Sequence, residues 1–288
     1  MKNFIKKKLP YALVFRDLVT SFFAGIFVLA LRILPKRLFF EIKEHLSTVV
    51  RMDYETHDIF LYADSIAEYF LRKNSCKKEP ETIEWIKTYI KPGDVVYDIG
   101  ANVGAYSFVA DRHTGGKAKI YSFEPSFSTF AQLVNNINLN SCQGRIIPLC
   151  VALFDETDLI VLNYSSLSPG AALHALGQPV DNHGQSFTPV FKQPTMSFRL
   201  DDLISLFKME SPTHIKLDVD GVEMEILRGA GKTLLDPGLR TILVEIEPAL
   251  DRSVRIIEFL QEHNFRVDMV RSHGGNAMDT SNYLFVRV

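Results

Sequence analysis

One short segment constrains this chain more than any other: Asp98-Ile99-Gly100-Ala101-Asn102-Val103-Gly104, which follows an apolar run and precedes a helical pattern. Asp94–Asp98 reads as a strand and Val103–His113 as a helix, so the two glycines occupy a strand-to-helix turn. Gly100 permits a tight turn and close approach of a ligand to the backbone, and Gly104 lets the helix begin against a sheet. The spacing is G-x-x-x-G, without the G-x-G of the dinucleotide fingerprint. An acid at the strand end would repel a pyrophosphate, whereas it suits the ammonium of an amino acid. In isolation such a turn is an ordinary βα connection. Its surroundings give it weight.

The rest of the chain alternates in the same way. Strands are expected at Lys119–Phe123, Arg145–Val151, Ile160–Asn163, Pro212–Val219, Thr241–Ile246, Phe265–Val270 and Tyr283–Val288. Helices are expected at Ser126–Asn140, Leu200–Lys208, Val222–Leu235 and Arg252–Asn264. Upstream, short strands at Thr48–Met52 and Ile59–Tyr62 and a helical Ser65–Arg72 precede an amphipathic helix. That helix opens at Glu79-Pro80-Glu81 and carries Ile83, Ile86 and Ile90 on one face. The pattern predicts an α/β fold: a doubly wound, mostly parallel seven-stranded sheet of Rossmann-like type with an N-terminal helical extension. Residues 163–194 break the rhythm with prolines, glycines, serines, His174 and His183, and read as a long loop over a site. The expected divisions are 1–38, 39–92 and 93–288.

Composition narrows the function classes. The 288 residues carry 32 basic and 34 acidic side chains, a formal net charge of −2, which excludes a protein built mainly to neutralise nucleic-acid phosphates. Three cysteines, Cys76, Cys142 and Cys150, have no metal-like spacing and read as reduced thiols of a cytosolic protein. No zinc site is encoded.

Glu124 ends the strand after the glycine turn, 26 residues beyond Asp98, where a carboxylate can accept both ribose hydroxyls of a nucleoside. It also reads as a helix-initiating acid, with Pro125 in the first helical position. A second charged pattern is Ile215-Lys216-Leu217-Asp218-Val219-Asp220-Gly221, in which Lys216, Asp218 and Asp220 alternate with aliphatic residues. Central parallel strands are normally apolar on both faces, so the stripe is out of pattern. Glu245 and Glu247 repeat it on the next strand. A structural explanation is a buried Lys216–Glu245 pair with Asp220 capping the following helix. The functional one sets Asp218 and Asp220 at strand ends, where ligands bind in open α/β sheets. His174 and His183, in the long loop, could serve as bases or be solvated loop histidines.

These motifs resemble the FkbM family of methyltransferases. The resemblance rests on Asp98 to Ser107, Phe123-Glu124-Pro125, Ala152-Leu153-Phe154-Asp155, Arg199-Leu200-Asp201-Asp202-Leu203, Ile215 to Gly221 and Glu223 to Ala230, and covers about residues 76–248. It implies a seven-stranded methyltransferase fold with S-adenosylmethionine as donor and a hydroxyl of a sugar, glycan or small natural product as acceptor. Carried over, Asp98, Gly100, Asn102 and Gly104 would line the methionine end, Glu124 would hold the ribose, and Ala152 and Leu153 would border adenine. Asp220 stands where the family more often has glutamate. Asp218 is then the first candidate for the proton acceptor, with Asp220 beside it and His174 second. A divalent cation held by Asp218 and Asp220 is compatible with this chemistry, though two carboxylates do not specify one.

Two other readings remain: an NAD- or nucleotide-dependent enzyme on a similar sheet, and a non-catalytic membrane-associated binding protein. Missing G-x-G-x-x-G weighs against the first, and retention of the glycine turn and ribose acid against the second. The second owes its place to the N-terminus, where Lys2, Lys6, Lys7 and Lys8 precede a charge-free run from Leu18 to Leu31. Fourteen residues fall short of the roughly 20 that span a bilayer. With basic residues on both flanks, the expectation is a cytoplasmic protein attached to the inner face of the membrane.

Overall fold

The structure, a computed structural model, describes residues 22–29, 33–46, 48–64, 66–171, 174–180, 185–246, 251–272 and 280–288. The chain forms two compact units that divide between Thr48 and Val49. The first contains helical residues 22–29 (α1) and α2 (Lys36–His45). Phe22, Phe23, Ile26, Phe27 and Leu29 of α1 are exposed. The four N-terminal lysines and part of the charge-free run lie outside the described residues. No helix among the described residues is long and apolar enough to cross a membrane.

The second unit opens with an antiparallel pair, β1 (Val49–Arg51) and β2 (Phe60–Tyr62), then α3 (Ile66–Lys73), α4 (Ser75–Lys78) and α5 (Pro80–Tyr89). Strand–helix alternation follows: β3 (Val95–Ile99), α6 (Ala105–His113), β4 (Lys119–Phe123), α7 (Phe127–Leu139) and β5 (Ile146–Leu149). Next come β6 (Ala152–Leu153), β7 (Asp158–Tyr164), β8 (Ala175–Leu176), β9 (Phe191–Phe198) and α8 (Leu200–Phe207). The chain ends with β10 (His214–Leu217), α9 (Glu223–Arg228), α10 (Gly231–Leu235), β11 (Thr241–Ile246), α11 (Asp251–Glu262), β12 (Phe265–Ser272) and β13 (Ser281–Arg287).

Seven strands form the main sheet in the order β12-β13-β11-β10-β3-β4-β5, all parallel except β13, which runs antiparallel to both neighbours. This is the doubly wound α/β sheet expected from the alternation. Successive residues of β3 feed opposite faces. Val96 joins Ile86, Phe108, Val109, Leu133 and Ile137 in one core, while Val95, Tyr97 and Ile99 join Ile226, Leu227, Leu234, Ile256 and Leu260 in the other. Pro148 sits in β5, an edge strand, where a missing N–H is tolerated.

The β1–β2 pair is fastened to the core by amide side chains four residues apart on α7. Asn140 Oδ1 accepts the Phe60 N–H (2.9 Å) and its Nδ2 donates to the Phe60 carbonyl (2.6 Å). Asn136 accepts the Tyr62 N–H (2.9 Å), and Gln132 donates to the Tyr62 carbonyl (2.7 Å). A helical repeat of four thus satisfies the open edge of a strand. Asn136 also donates to the Val103 carbonyl (3.0 Å), tying the same helix to the glycine turn.

Three expectations change. Residues 163–194 are not one long loop: β7 pairs antiparallel with β8 and β9 in a second sheet ordered β6-β9-β7-β8. β9 escapes the sequence pattern because its inward residues are polar, Gln193, Thr195 and Ser197, whereas Phe191 at its start and the outward-facing Met196 are exposed. The expected strand Arg145–Val151 ends at Leu149, and the next two-residue strand, β6, belongs to the second sheet. The helix Val222–Leu235 breaks into α9 and α10 at Gly229-Ala230, where a Cβ on Gly229 would lie 2.2 Å from the Phe154 carbonyl oxygen. Backbone passes over backbone there, which only glycine allows.

Candidate active site

Strand order reverses between β3 and β10, the position at which a doubly wound sheet opens a crevice beyond its carboxyl ends. A cavity of about 470 Å³ lies there. Its walls include Gly100 to Val103, Glu124, Ala152, Leu153 and His174, with Asp218, Asp220 and Glu245 at the ends of β10 and β11.

The turn is held by main-chain bonds. Gly100 and Ala101 both donate to the Phe123 carbonyl (3.0 and 2.9 Å), and Asp218 donates to that of Ile99 (3.0 Å). Gly100 has φ +82°, and a Cβ on it would lie 1.8 Å from the Asp218 carbonyl oxygen. The close approach at Gly100 is therefore to the backbone of the neighbouring strand end. Gly100→Ala is expected to cost on the order of 2–4 kcal/mol, read as a lower urea midpoint at unchanged slope. A midpoint equal to wild type would contradict this packing. Gly104 precedes α6, and a Cβ on it would meet Leu133 of α7 at 2.6 Å. It packs against that helix and does not line the cavity.

Asp98 also lies behind the wall. Its Oδ2 accepts the Ser107 hydroxyl (2.5 Å), while Oδ1 is buried without a hydrogen-bond partner. Burial raises its pKa and the nearby Lys216 opposes that rise. Asn102 adopts φ +51°, and its Oδ1 takes the Val103 N–H (2.9 Å) and Arg72 Nη2 (3.2 Å).

Glu124 joins the turn to α7. Its Oε2 accepts the Asn102 N–H (3.1 Å) and its Oε1 the Ser126 N–H (2.9 Å). Pro125 is not the first helical residue: Ser126 caps α7, its hydroxyl accepting from Thr129 N. Burial pushes the Glu124 carboxyl up to about 7, against the pull of the two amide bonds.

The charged stripe forms a chain of contacts. Lys216, 2 % exposed, donates to Asp218 Oδ2 (2.5 Å) and lies 5.0 Å from the centroid of the Tyr106 ring. Its partner is thus Asp218. Glu245 instead accepts the Thr280 hydroxyl (2.9 Å). Despite burial, the lysine is raised by its carboxylate neighbours, Asp218 is lowered by Lys216, and burial pushes Glu245 up to about 8. Glu247 lies outside the described residues, as does His183.

Asp220 does not cap a helix, since Val222 holds the position before α9. Its Oδ2 accepts the His174 N–H (3.1 Å). His174 Nδ1 accepts the Ser165 N–H (3.3 Å), which leaves the ring proton on Nε2, a buried atom with no hydrogen-bond partner. Burial also lowers its pKa. A neutral ring in that tautomer is a donor at Nε2, so the geometry disfavours His174 as the base.

Arg72, Lys78 and Glu79 from upstream, with Tyr106 of α6, complete the cavity lining. Arg72 Nη2 bonds the Gly170 carbonyl (3.1 Å) as well as Asn102, bridging α3 to the turn. Glu79, read as a helix-start acid, is 2 % exposed and takes Lys78 Nζ (3.0 Å) and the Thr82 hydroxyl (3.1 Å). Among the described residues no cluster of three or more His, Cys, Asp or Glu side chains could hold a metal ion.

Residues 98–267 match the family model described as the methyltransferase FkbM domain. This chain belongs to the FkbM methyltransferase family. The FkbM match begins at Asp98, so it takes in the glycine turn, Glu124 and the charged stripe but not Arg72, Lys78 or Glu79. Among similar proteins is the hexuronic acid methyltransferase AglP of Haloferax volcanii, 25% identical over 184 residues, covering 64% of this chain and 69% of that protein. Another is the 31-O-demethyl-FK506 methyltransferase FkbM of Streptomyces tacrolimicus, 25% identical over 198 residues, covering 62% of this chain and 75% of that one. A crystal structure of methyltransferase FkbM from Methylobacillus flagellatus aligns with a TM-score of 0.48 at 16% identity. The alignment covers 67% of this chain and 44% of that one, so this chain spans under half of its length.

Proposed function

We propose that this FkbM methyltransferase takes its methyl group from S-adenosylmethionine and delivers it to an oxygen of a sugar, glycan or small natural product. The observation that carries the reading is Glu124, a buried carboxylate on the cavity wall at the end of β4, locked to the glycine turn by Asn102 N–H. Each of its oxygens accepts one amide bond and keeps acceptor capacity for a ribose hydroxyl. Ala152 and Leu153 offer an apolar edge for adenine. Related proteins that act on a hexuronic acid and on a demethylated FK506 support the acceptor class.

When bound, S-adenosylmethionine supplies a methyl carbon activated by its sulfonium. The chain's residues align the reactants and exclude water. Asp218, on the cavity wall and ionised by its contact with Lys216, would accept the proton of the acceptor hydroxyl as the methyl group passes from sulfur to that oxygen and the sulfur leaves as a neutral thioether. Calorimetric titration with S-adenosylmethionine and, separately, NAD tests the donor: binding of NAD alone would overturn the reading. Radiolabelled methyl transfer to hexuronic-acid glycosides and to secondary alcohols then tests the acceptor.

The N-terminal segment is assigned to the inner membrane surface, on the exposed apolar side chains of α1 and the flanking lysines and arginines. Fractionation should find the full chain partly with membranes, released by salt, and a chain lacking residues 1–38 in the soluble fraction. Equal recovery of both as soluble protein would exclude the attachment.

A further inference from the structure

We infer that Glu245 is a positioning residue for the methyl-transfer site, sharing one proton with Asp218 so that the two carboxyl groups act as a single proton-accepting pair. The inference rests on the methyltransferase reading above and adds a residue to it.

The strand register makes the pair. Leu217 of β10 lies opposite Val244 of β11, so the next residues, Asp218 and Glu245, emerge side by side where both line the cavity. Side by side at the ends of parallel strands, with both lining the cavity, the two carboxyl groups lie within reach of each other. Two ionised carboxylates at that spacing repel, and one proton shared between them relieves the repulsion. The neighbours decide which. Lys216 Nζ sits 2.5 Å from Asp218 Oδ2 and holds that group ionised. Glu245 faces the Thr280 hydroxyl at the head of β13 and feels Asp218 and Lys216 from β10 and Lys78 from α4. Asn282, opposite it in register, is neutral. Lys216 is bonded to Asp218, and burial pushes Glu245 up to about 8. The proton therefore belongs to Glu245, which donates it to Asp218.

This arrangement fixes Asp218 between a cation and a neutral donor, leaving its remaining lone pairs for the acceptor hydroxyl. When the acceptor's proton arrives, the pair passes from one shared proton to two, and no third group need move. Above about pH 8 Glu245 ionises, the bond between the carboxyls is lost and they repel.

Glu245→Gln tests the idea, because glutamine keeps a donor and cannot ionise. Infrared difference spectra of the full chain should show a protonated-carboxyl band at pH 7 that disappears near pH 8 and is missing from Glu245→Gln. Asp98 and Glu124, also buried, contribute equally to both proteins and cancel. Activity of wild type on an acceptor from the hexuronic-acid and alcohol screen should fall above about pH 8. The glutamine variant should keep at least about a tenth of the neutral-pH turnover and lose that alkaline limb, whereas Glu245→Ala should lose most turnover at every pH. No difference band at pH 7, or an alkaline limb that survives in Glu245→Gln, overturns the pairing. A glutamine variant that folds, binds S-adenosylmethionine and has no activity also overturns it, since Glu245 would then be the base itself. Failure of wild type to bind S-adenosylmethionine would sink the donor assignment while leaving the infrared result to judge the pair.

Discussion

Replacing Glu124 with alanine is expected to weaken S-adenosylmethionine binding by about 100-fold or more, since two hydrogen bonds to a carboxylate are worth roughly 3 kcal/mol or more. The wild-type affinity should also depend on pH in one direction. Ribose hydroxyls donate, so the complex needs the ionised carboxylate, while the free site holds its proton until about pH 7. Binding must expel that proton at lower pH. Affinity should therefore be flat above about pH 8 and fall close to tenfold per unit below pH 7, and that slope should vanish in Glu124→Ala. Glu124→Gln is a harsher change than it looks, because one amide N–H of the glutamine would have to face Asn102 N–H or Ser126 N–H. Alanine with a thermal-melt control is the cleaner variant. A folded Glu124→Ala protein with wild-type affinity and pH slope would remove Glu124 from the donor site.

How much of this was legible in the sequence depends on whether a residue acts through its own strand or through a neighbour's. Asp98, Glu124 and Asp218 were readable because each is an acid at the end of an apolar strand, a local anomaly. The main sheet was readable because its central strands are buried on both faces: all five residues of β3 and all four of β10 are buried. β9 was not, since its inward face is occupied by Gln193, whose Nε2 donates to the Pro125 carbonyl (2.8 Å), and by Ser197, whose hydroxyl serves the Glu156 and Asp158 carbonyls. Polar residues there bond main chain that a hydrophobic pattern cannot reveal. Arg72 and Glu79 reach the cavity from helices whose docking is tertiary. The partner of Lys216 could not be read either: Asp218 and Glu245 were both within the pattern, and only the three-dimensional register separates them.

Asp218→Asn is expected to lower turnover by between about 100- and 10,000-fold, the range for losing a positioned proton acceptor, while S-adenosylmethionine affinity changes far less. The comparison has to allow for Lys216. Buried at 2 % exposure, it would lose its bonded carboxylate and keep the Tyr106 ring and the more distant charges of Asp98, Glu79 and Glu245. An uncompensated buried ammonium costs several kcal/mol, so the single variant should also melt earlier. Lys216→Met in the Asp218→Asn background removes that charge and should restore part of the melting temperature without restoring turnover. The split between the two readouts is the decisive feature. Stability recovered together with activity would mean that Asp218 serves to hold Lys216, whereas stability recovered alone leaves Asp218 as the group that takes the proton.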